Sequence, residues 1–149
     1  MRTKIPHWIM QAGLAVALSG VLAQAQTAQG PRQPAPLERT HWKLTWVEGS
    51  RVEGTSPRSA FIMLNPVSHR MAGSGGCNSL LGAYELDGGN LRFTGTARTL
   101  MACSAGTGME DKLVDALEKV RQWKISGDEL ELQDESGHDL ARFTATATQ

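Results

Sequence analysis

The feature that most constrains this chain is a series of short stretches, from His41 onward, in which apolar and polar residues alternate and which end at Gly, Asn, Asp or Pro. A period of two sends successive side chains to opposite faces, so each stretch suits a half-buried strand. The spacing of the turn residues predicts antiparallel neighbours joined by tight hairpins. The expected fold class is mainly β (α+β), a small antiparallel β-barrel-like meander with one packed helix. In the first stretch, Trp42, Leu44 and Trp46 are expected on one face and Lys43, Thr45 and Val47 on the other, giving the core two large aromatic rings.

The remaining stretches follow the same rule. Arg51 to Ser59, with Gly54 and Pro57, reads as a loop. Phe61 to Leu64 is a strand closed by Asn65-Pro66-Val67-Ser68, and the chain returns through His69 to Gly73. Leu80 to Leu86 and Leu91 to Thr94 flank Asp87-Gly88-Gly89-Asn90, whose residues tolerate positive φ. Trp123 to Ser126, Leu130 to Gln133 and Leu140 to Thr144 are separated by Gly127-Asp128 and Ser136-Gly137. One helix interrupts the series. Thr107 and Glu110 have the spacing of a capping box, in which each side chain satisfies a backbone donor at the helix start. Leu113, Val114, Leu117 and Val120 form a buried stripe, and Asp115 and Lys119 an exposed i,i+4 pair.

The N-terminal part is read differently. Arg2 and Lys4 precede a mostly apolar run from Trp8 to Leu22, and Ala23-Gln24-Ala25 has small residues at both positions of a cleavage site. Residues 1–25 are therefore expected to be a secretory signal peptide, cleaved to leave Gln26 first. The apolar run is short for a hydrocarbon core of about 30 Å, and no cysteine near the cut offers a lipid attachment. Residues 26–37, with Pro31, Pro34 and Pro36, are expected to be a disordered linker, and residues 38–145 the folded domain.

The 149 residues suit one domain, and the 15 basic and 15 acidic side chains cancel. Loss of Arg2 and Lys4 with the leader would leave 13 basic against 15 acidic, without the basic footprint of a nucleic-acid binder. Cys77 and Cys103 are the only cysteines. In an exported protein a disulfide between them is the economical reading, with two buried thiols or a reactive thiol as alternatives. A cysteine nucleophile needs a base in reach, and the spacing of His41, His69 and His138 identifies none, so no catalytic residue is assigned. The spacing also lacks the patterns of a zinc site, and neither metal nor cofactor is expected. Gly73-Ser74-Gly75-Gly76-Cys77-Asn78 lacks the Gly-Lys-Ser/Thr ending of a phosphate loop and precedes a strand, so it reads as a structural turn. Glu129, Glu131 and Gln133 read as the solvated face of a strand.

Gly76-Cys77-Asn78, followed by Gly82 and Tyr84 and then by Thr99-Leu100-Met101-Ala102-Cys103, resembles the META domain, the family of HslJ-like bacterial heat-shock proteins. The likeness extends from Trp42-Lys43-Leu44 through the helix to Leu130, Leu132, Gly137 and Phe143. The resemblance implies a small, mainly β domain with one helix, in exported bacterial proteins tied to stress, heat shock, antibiotic tolerance, motility or virulence, usually without assigned enzymatic activity. It adds weight to pairing Cys77 with Cys103. It also marks Gly76, Cys77, Asn78, Gly82, Tyr84, Thr99, Met101 and Cys103 as motif residues, which we read as structural. Many relatives are lipoproteins; this leader favours a periplasmic or secreted form without a stable membrane anchor.

The expected function is a monomeric, non-enzymatic envelope module acting in stress through contact with another, unidentified envelope protein. A small-ligand-binding barrel and a Cys77-dependent periplasmic enzyme are the alternatives.

Overall fold

The computed structural model describes residues 33–52, 59–102 and 107–146. The leader, residues 26–32 of the expected linker and Cys103 lie outside the described residues. So does most of the loop expected over residues 51–59.

Ten elements follow one another: β1 (His41–Val47), β2 (Ser50–Arg51), β3 (Phe61–Asn65), β4 (Arg70–Ser74), β5 (Ser79–Asp87), β6 (Asn90–Arg98), α1 (Thr107–Lys119), β7 (Gln122–Ser126), β8 (Glu129–Gln133) and β9 (Asp139–Thr146). The strands form one antiparallel sheet in the order β2-β1-β3-β4-β5-β6-β7-β8-β9, and pairing of β1 with β9 closes it in a ring. This is the mainly β, barrel-like meander that the alternation predicts. β2 is a two-residue extension that pairs with Trp46 and Val47, along the edge of β1 that β3 occupies at Trp42 and Lys43.

The ring is thinnest between β6 and β7, whose ladder has one residue pair, Asn90 with Gln122. Leu91 N donates to Arg121 O at 3.0 Å and Trp123 N to Gly89 O at 3.2 Å. α1, inserted in the chain at this junction, packs against β6, β9 and β1. Leu113, Leu117 and Val120 of its expected stripe are fully buried with Trp42, Ile62, Leu132 and Phe143 from the strands, while the fourth fully buried position is Ala116 and not Val114, which is half-buried at the margin. At about 25 cal/mol per Å2 of apolar surface removed from water, docking of this stripe outweighs any surface pair on the helix. The expected Asp115–Lys119 pair gives way to a tertiary one, in which Lys119 Nζ donates to Glu48 Oε1 at 2.9 Å.

Two bulges set which residues enter the core. Against β9, Leu44 pairs with Phe143 and Trp46 with Arg142, which leaves Thr45 as an extra residue. An extra residue reverses the alternation, so the inward positions of β1 are Trp42, Leu44 and Val47, not Trp46. This corrects the expected pair of core tryptophans. Trp46 is half-buried, with the Arg142 guanidinium 5.4 Å from its ring centre. Between β8 and β9 the register shift admits Leu140 as well as Ala141 to the core.

The linker boundary is also corrected. Leu37 belongs to the core, its carbonyl accepts the Trp42 indole N–H at 2.8 Å, and Ala35 N donates to Gly127 O at 3.0 Å. A buried indole requires an acceptor, and the chain just before β1 supplies it. At the far end β9 runs to Thr146, and β6 continues four residues past Thr94. Among the described residues no helix is long and apolar enough to cross a membrane.

The inverted face is directly testable by urea unfolding. Val47→Asp buries an unpaired carboxylate and should abolish the cooperative transition, whereas Trp46→Asp, beside Arg142, should fold with a loss of about 1–2 kcal/mol. Equal losses at the two positions would refute the inversion.

Candidate functional site

The motif residues fall into two groups. The first is built on Asn78, where the turn after β4 enters β5. Gly76, at φ +104°, makes the turn in a conformation that favours glycine, and its N–H donates to Ser74 Oγ at 3.1 Å. Gly75 N then donates to Asn78 O at 3.0 Å, closing the loop on itself.

Asn78 and Glu110 are the buried polar and charged residues among those described, at 4% and 1% exposure. Their groups match one another. Asn78 N donates to Glu110 Oε2 at 2.9 Å and Asn78 Nδ2 to Glu110 Oε1 at 2.8 Å. Asn78 Oδ1 accepts from Thr99 Oγ1 at 3.0 Å and from Met101 N at 2.7 Å. One amide thus ties three segments: the start of β5, the chain after β6 and the first turn of α1. Ser79 N to Thr99 Oγ1 and Thr99 N to Ser79 O, both at 3.1 Å, complete the seam.

Removing a carboxylate from water is costly unless its lone pairs are satisfied. Glu110 meets that condition through two charge-assisted bonds from Asn78, the Arg98 guanidinium at 3.5 Å and a place in the first turn of α1, where the helix dipole favours negative charge. Arg98 also pairs with Asp111, and that hydrogen bond is the chief reason its pKa is raised. Glu110 therefore turns to another segment, where the capping-box reading had it serve the helix's own backbone. Gly75 is the counterpart of this choice. A Cβ there would lie 2.3 Å from Glu110 Cγ, so the carboxylate reaches Asn78 only across a residue without a side chain.

The second group lies along β5. Gly82 is buried where a Cβ would stand 3.4 Å from Met71 Cε and from Thr94 O. Tyr84 is six residues beyond Asn78, about 20 Å for an extended strand, so it forms no single site with it. Its ring is buried and its hydroxyl donates to Glu38 Oε1 at 2.5 Å. Burial first, and the Glu38 carboxylate second, push the Tyr84 pKa well above its ordinary value.

The histidines remain apart. His41 stacks on Phe61 at 4.2 Å between ring centres, His69 sits at φ +51° beside the Tyr84 ring, and His138 is exposed next to Asp134. Cys77 Sγ lies 3.9 Å from Met101 O, while its expected partner Cys103 lies outside the described residues. Among the described residues no group of three or more His, Cys, Asp or Glu could hold a metal ion. Glu110, Arg98, Gly75 and Glu38 were not singled out as site residues by the sequence reading. For Glu110 a signal exists: it precedes Leu113 and Leu117 by three and seven residues and shares their buried stripe.

Comparison with known proteins agrees with this architecture. The META domain family matches residues 35–147. A protein from Burkholderia xenovorans, solved by NMR, superposes with a TM-score of 0.61 at 22% identity, covering 97% of this chain and all of that one. A DUF4847 family protein from Bacteroides vulgatus superposes with a TM-score of 0.53 at 12% identity, covering 76% of this chain and 96% of that one. At these identities the likeness is one of fold. No curated protein matches the chain.

Two expected outcomes follow from the two groups. Asn78→Ala leaves the buried Glu110 short of an amide donor and should cost about 3 kcal/mol in urea unfolding, against under about 0.5 kcal/mol for an exposed control such as Ser136→Ala. For Tyr84, a folded pKa above the unfolded value of about 10 means its contribution is full below pH 10 and is lost as pH rises toward the folded value. The chain has one tyrosine. Its phenolate absorbance should therefore appear at higher pH in native than in urea-unfolded protein, and Tyr84→Phe should flatten the alkaline loss of stability. Coincident titrations would contradict the burial.

Proposed function

Because the chain belongs to the META domain family, we propose that it is a non-enzymatic stress-response module of the bacterial envelope, exported through its N-terminal leader and acting by contact with another protein. The observation that carries this reading is the use made of the motif. Asn78, Thr99 and Glu110 direct their polar groups at one another, and the backbone they hold presents Leu100 and Met101 outward at 88% and 56% exposure. A chain segment fixed by buried hydrogen bonds, with large apolar side chains facing water, suits recognition by another protein. The ring interior is filled by side chains such as Trp42, Met71 and Phe143, which favours contact at the surface over a ligand enclosed within.

A Cys77–Cys103 disulfide belongs to the same proposal. An oxidising compartment supports it, as does the lack of a free cysteine among the described residues. By closing a loop of about 27 residues it would restrain the unfolded chain by roughly 3–4 kcal/mol and brace the segment bearing Leu100. Bonded sulfurs leave no thiolate for the Cys77-dependent enzyme considered above.

A photoreactive amino acid placed at Leu100, in heat-stressed cells of a host that exports the protein, should crosslink to an envelope protein, whereas the same group at Ser136 should not. With the photoreactive group moved to the neighbouring Met101, Leu100→Glu should remove the crosslinked partner without lowering the melting temperature. Equal crosslinking from both positions, or none from Leu100, would refute the reading.

A further inference from the structure

Outside the ring, next to the Gly76 turn, lies an open cleft of about 520 Å3. Apart from Met101, whose backbone N–H serves Asn78, it is lined by residues that make no hydrogen bond to Asn78 or Glu110. Its base comes from neighbouring strands in register: Lys43 on β1 pairs with Phe61 on β3, and Phe61 with Ser74 on β4. Cys77 and Met101 also line the cleft.

Three features define what the cleft can hold. First, Lys43 contributes a cation that has no carboxylate within ion-pair distance among the described residues, whereas Lys119 faces one and Arg98 two. Second, the aromatic surface is preformed. The rings of His41 and Phe61 stack at 4.2 Å with 24° between their planes, and Met101 adds a polarizable thioether. The His41 ring is held by Thr146, whose hydroxyl donates to His41 O at 3.1 Å and is hydrogen-bonded to His41 Nδ1 at 2.7 Å. Third, Ser74 Oγ already accepts the Gly76 N–H, so its own proton is free to be donated to an acceptor in the cleft.

We propose that this cleft binds an organic carboxylate whose body is a flat apolar ring, with the carboxylate at Lys43 and Ser74 and the ring against Phe61, His41 and Met101. An inorganic anion would satisfy the cation and leave the aromatic surface uncovered, and a neutral ring would leave the cation unmatched. The volume falls within the usual range for small-molecule sites, about 300–1,000 Å3. The cleft adjoins the protein contact proposed at Leu100 through Met101, while its recognition of charge at Lys43 and Ser74 does not depend on that contact.

The test is an NMR titration of the isotope-labelled exported domain with sodium benzoate, benzamide and inorganic phosphate in parallel. Benzoate should shift the amides of residues 41–43, 61 and 74–77 in a saturable way, and benzamide and phosphate should each bind at least about tenfold more weakly. Lys43→Gln, at a half-buried outward position, should weaken benzoate about tenfold or more while keeping the parent spectrum elsewhere. Lys43→Arg should retain most of the binding, which separates loss of charge from loss of fold. Benzoate shifts that are absent, that benzamide reproduces, or that survive Lys43→Gln unchanged would overturn the proposal.

Discussion

The interaction on which much of this structure depends is the buried pairing of Asn78 with Glu110. A carboxylate at 1% exposure is stable only where donors surround it, and here two come from one residue, from its backbone and from its side chain. The amide's remaining oxygen then serves Thr99 and Met101. Through these contacts the start of α1 is tied to the strands at the end where β6 has left the ladder. The glycines of the motif follow from the same requirement, Gly75 by leaving room for the Glu110 side chain and Gly76 by turning the chain into β5.

The ring illustrates a second constraint. A closed sheet needs its strands to bend and shift register, and this one does so at bulges. Thr45 opposite the Phe143–Arg142 step moves Val47 inward and Trp46 outward. Leu140 is added to the core by the corresponding shift between β8 and β9. The ladder is reduced to one residue pair between β6 and β7, and the apolar stripe of α1, which follows β6 in the chain, packs against β6, β9 and β1. Strand pairing and helix docking therefore complete one another.

The surface follows from how these demands divide the motif. Polar residues of the Gly-Cys-Asn turn point into the seam, which leaves Leu100 and Met101 on the outside, and the outward row of Lys43, Phe61 and Ser74 borders the same turn. Two adjoining surfaces, one apolar and one with a cation beside aromatic rings, thus meet at Met101.

Alternation and turn residues were sufficient to place eight of the strands, and helical spacing the single helix with Leu113, Leu117 and Val120 of its stripe, because period and backbone conformation are local properties. The two-residue β2, the end of β6 and Ala116 in the stripe were not legible there. The resemblance of Gly76-Cys77-Asn78 and Thr99 to Cys103 likewise pointed to the family and to the corner where the buried network lies. Three things were decided only by the tertiary structure. Thr45 becomes the extra residue because β9, about a hundred positions away, fixes the ladder. Leu37 joins the core because the Trp42 indole needs an acceptor once it is buried. Glu110 passes from local cap to long-range ligand because Asn78, 32 residues earlier, offers a matched pair of donors in a dry site. A sequence records each residue's own preference, but the choice between water, a neighbour and a distant partner is made when the surfaces close.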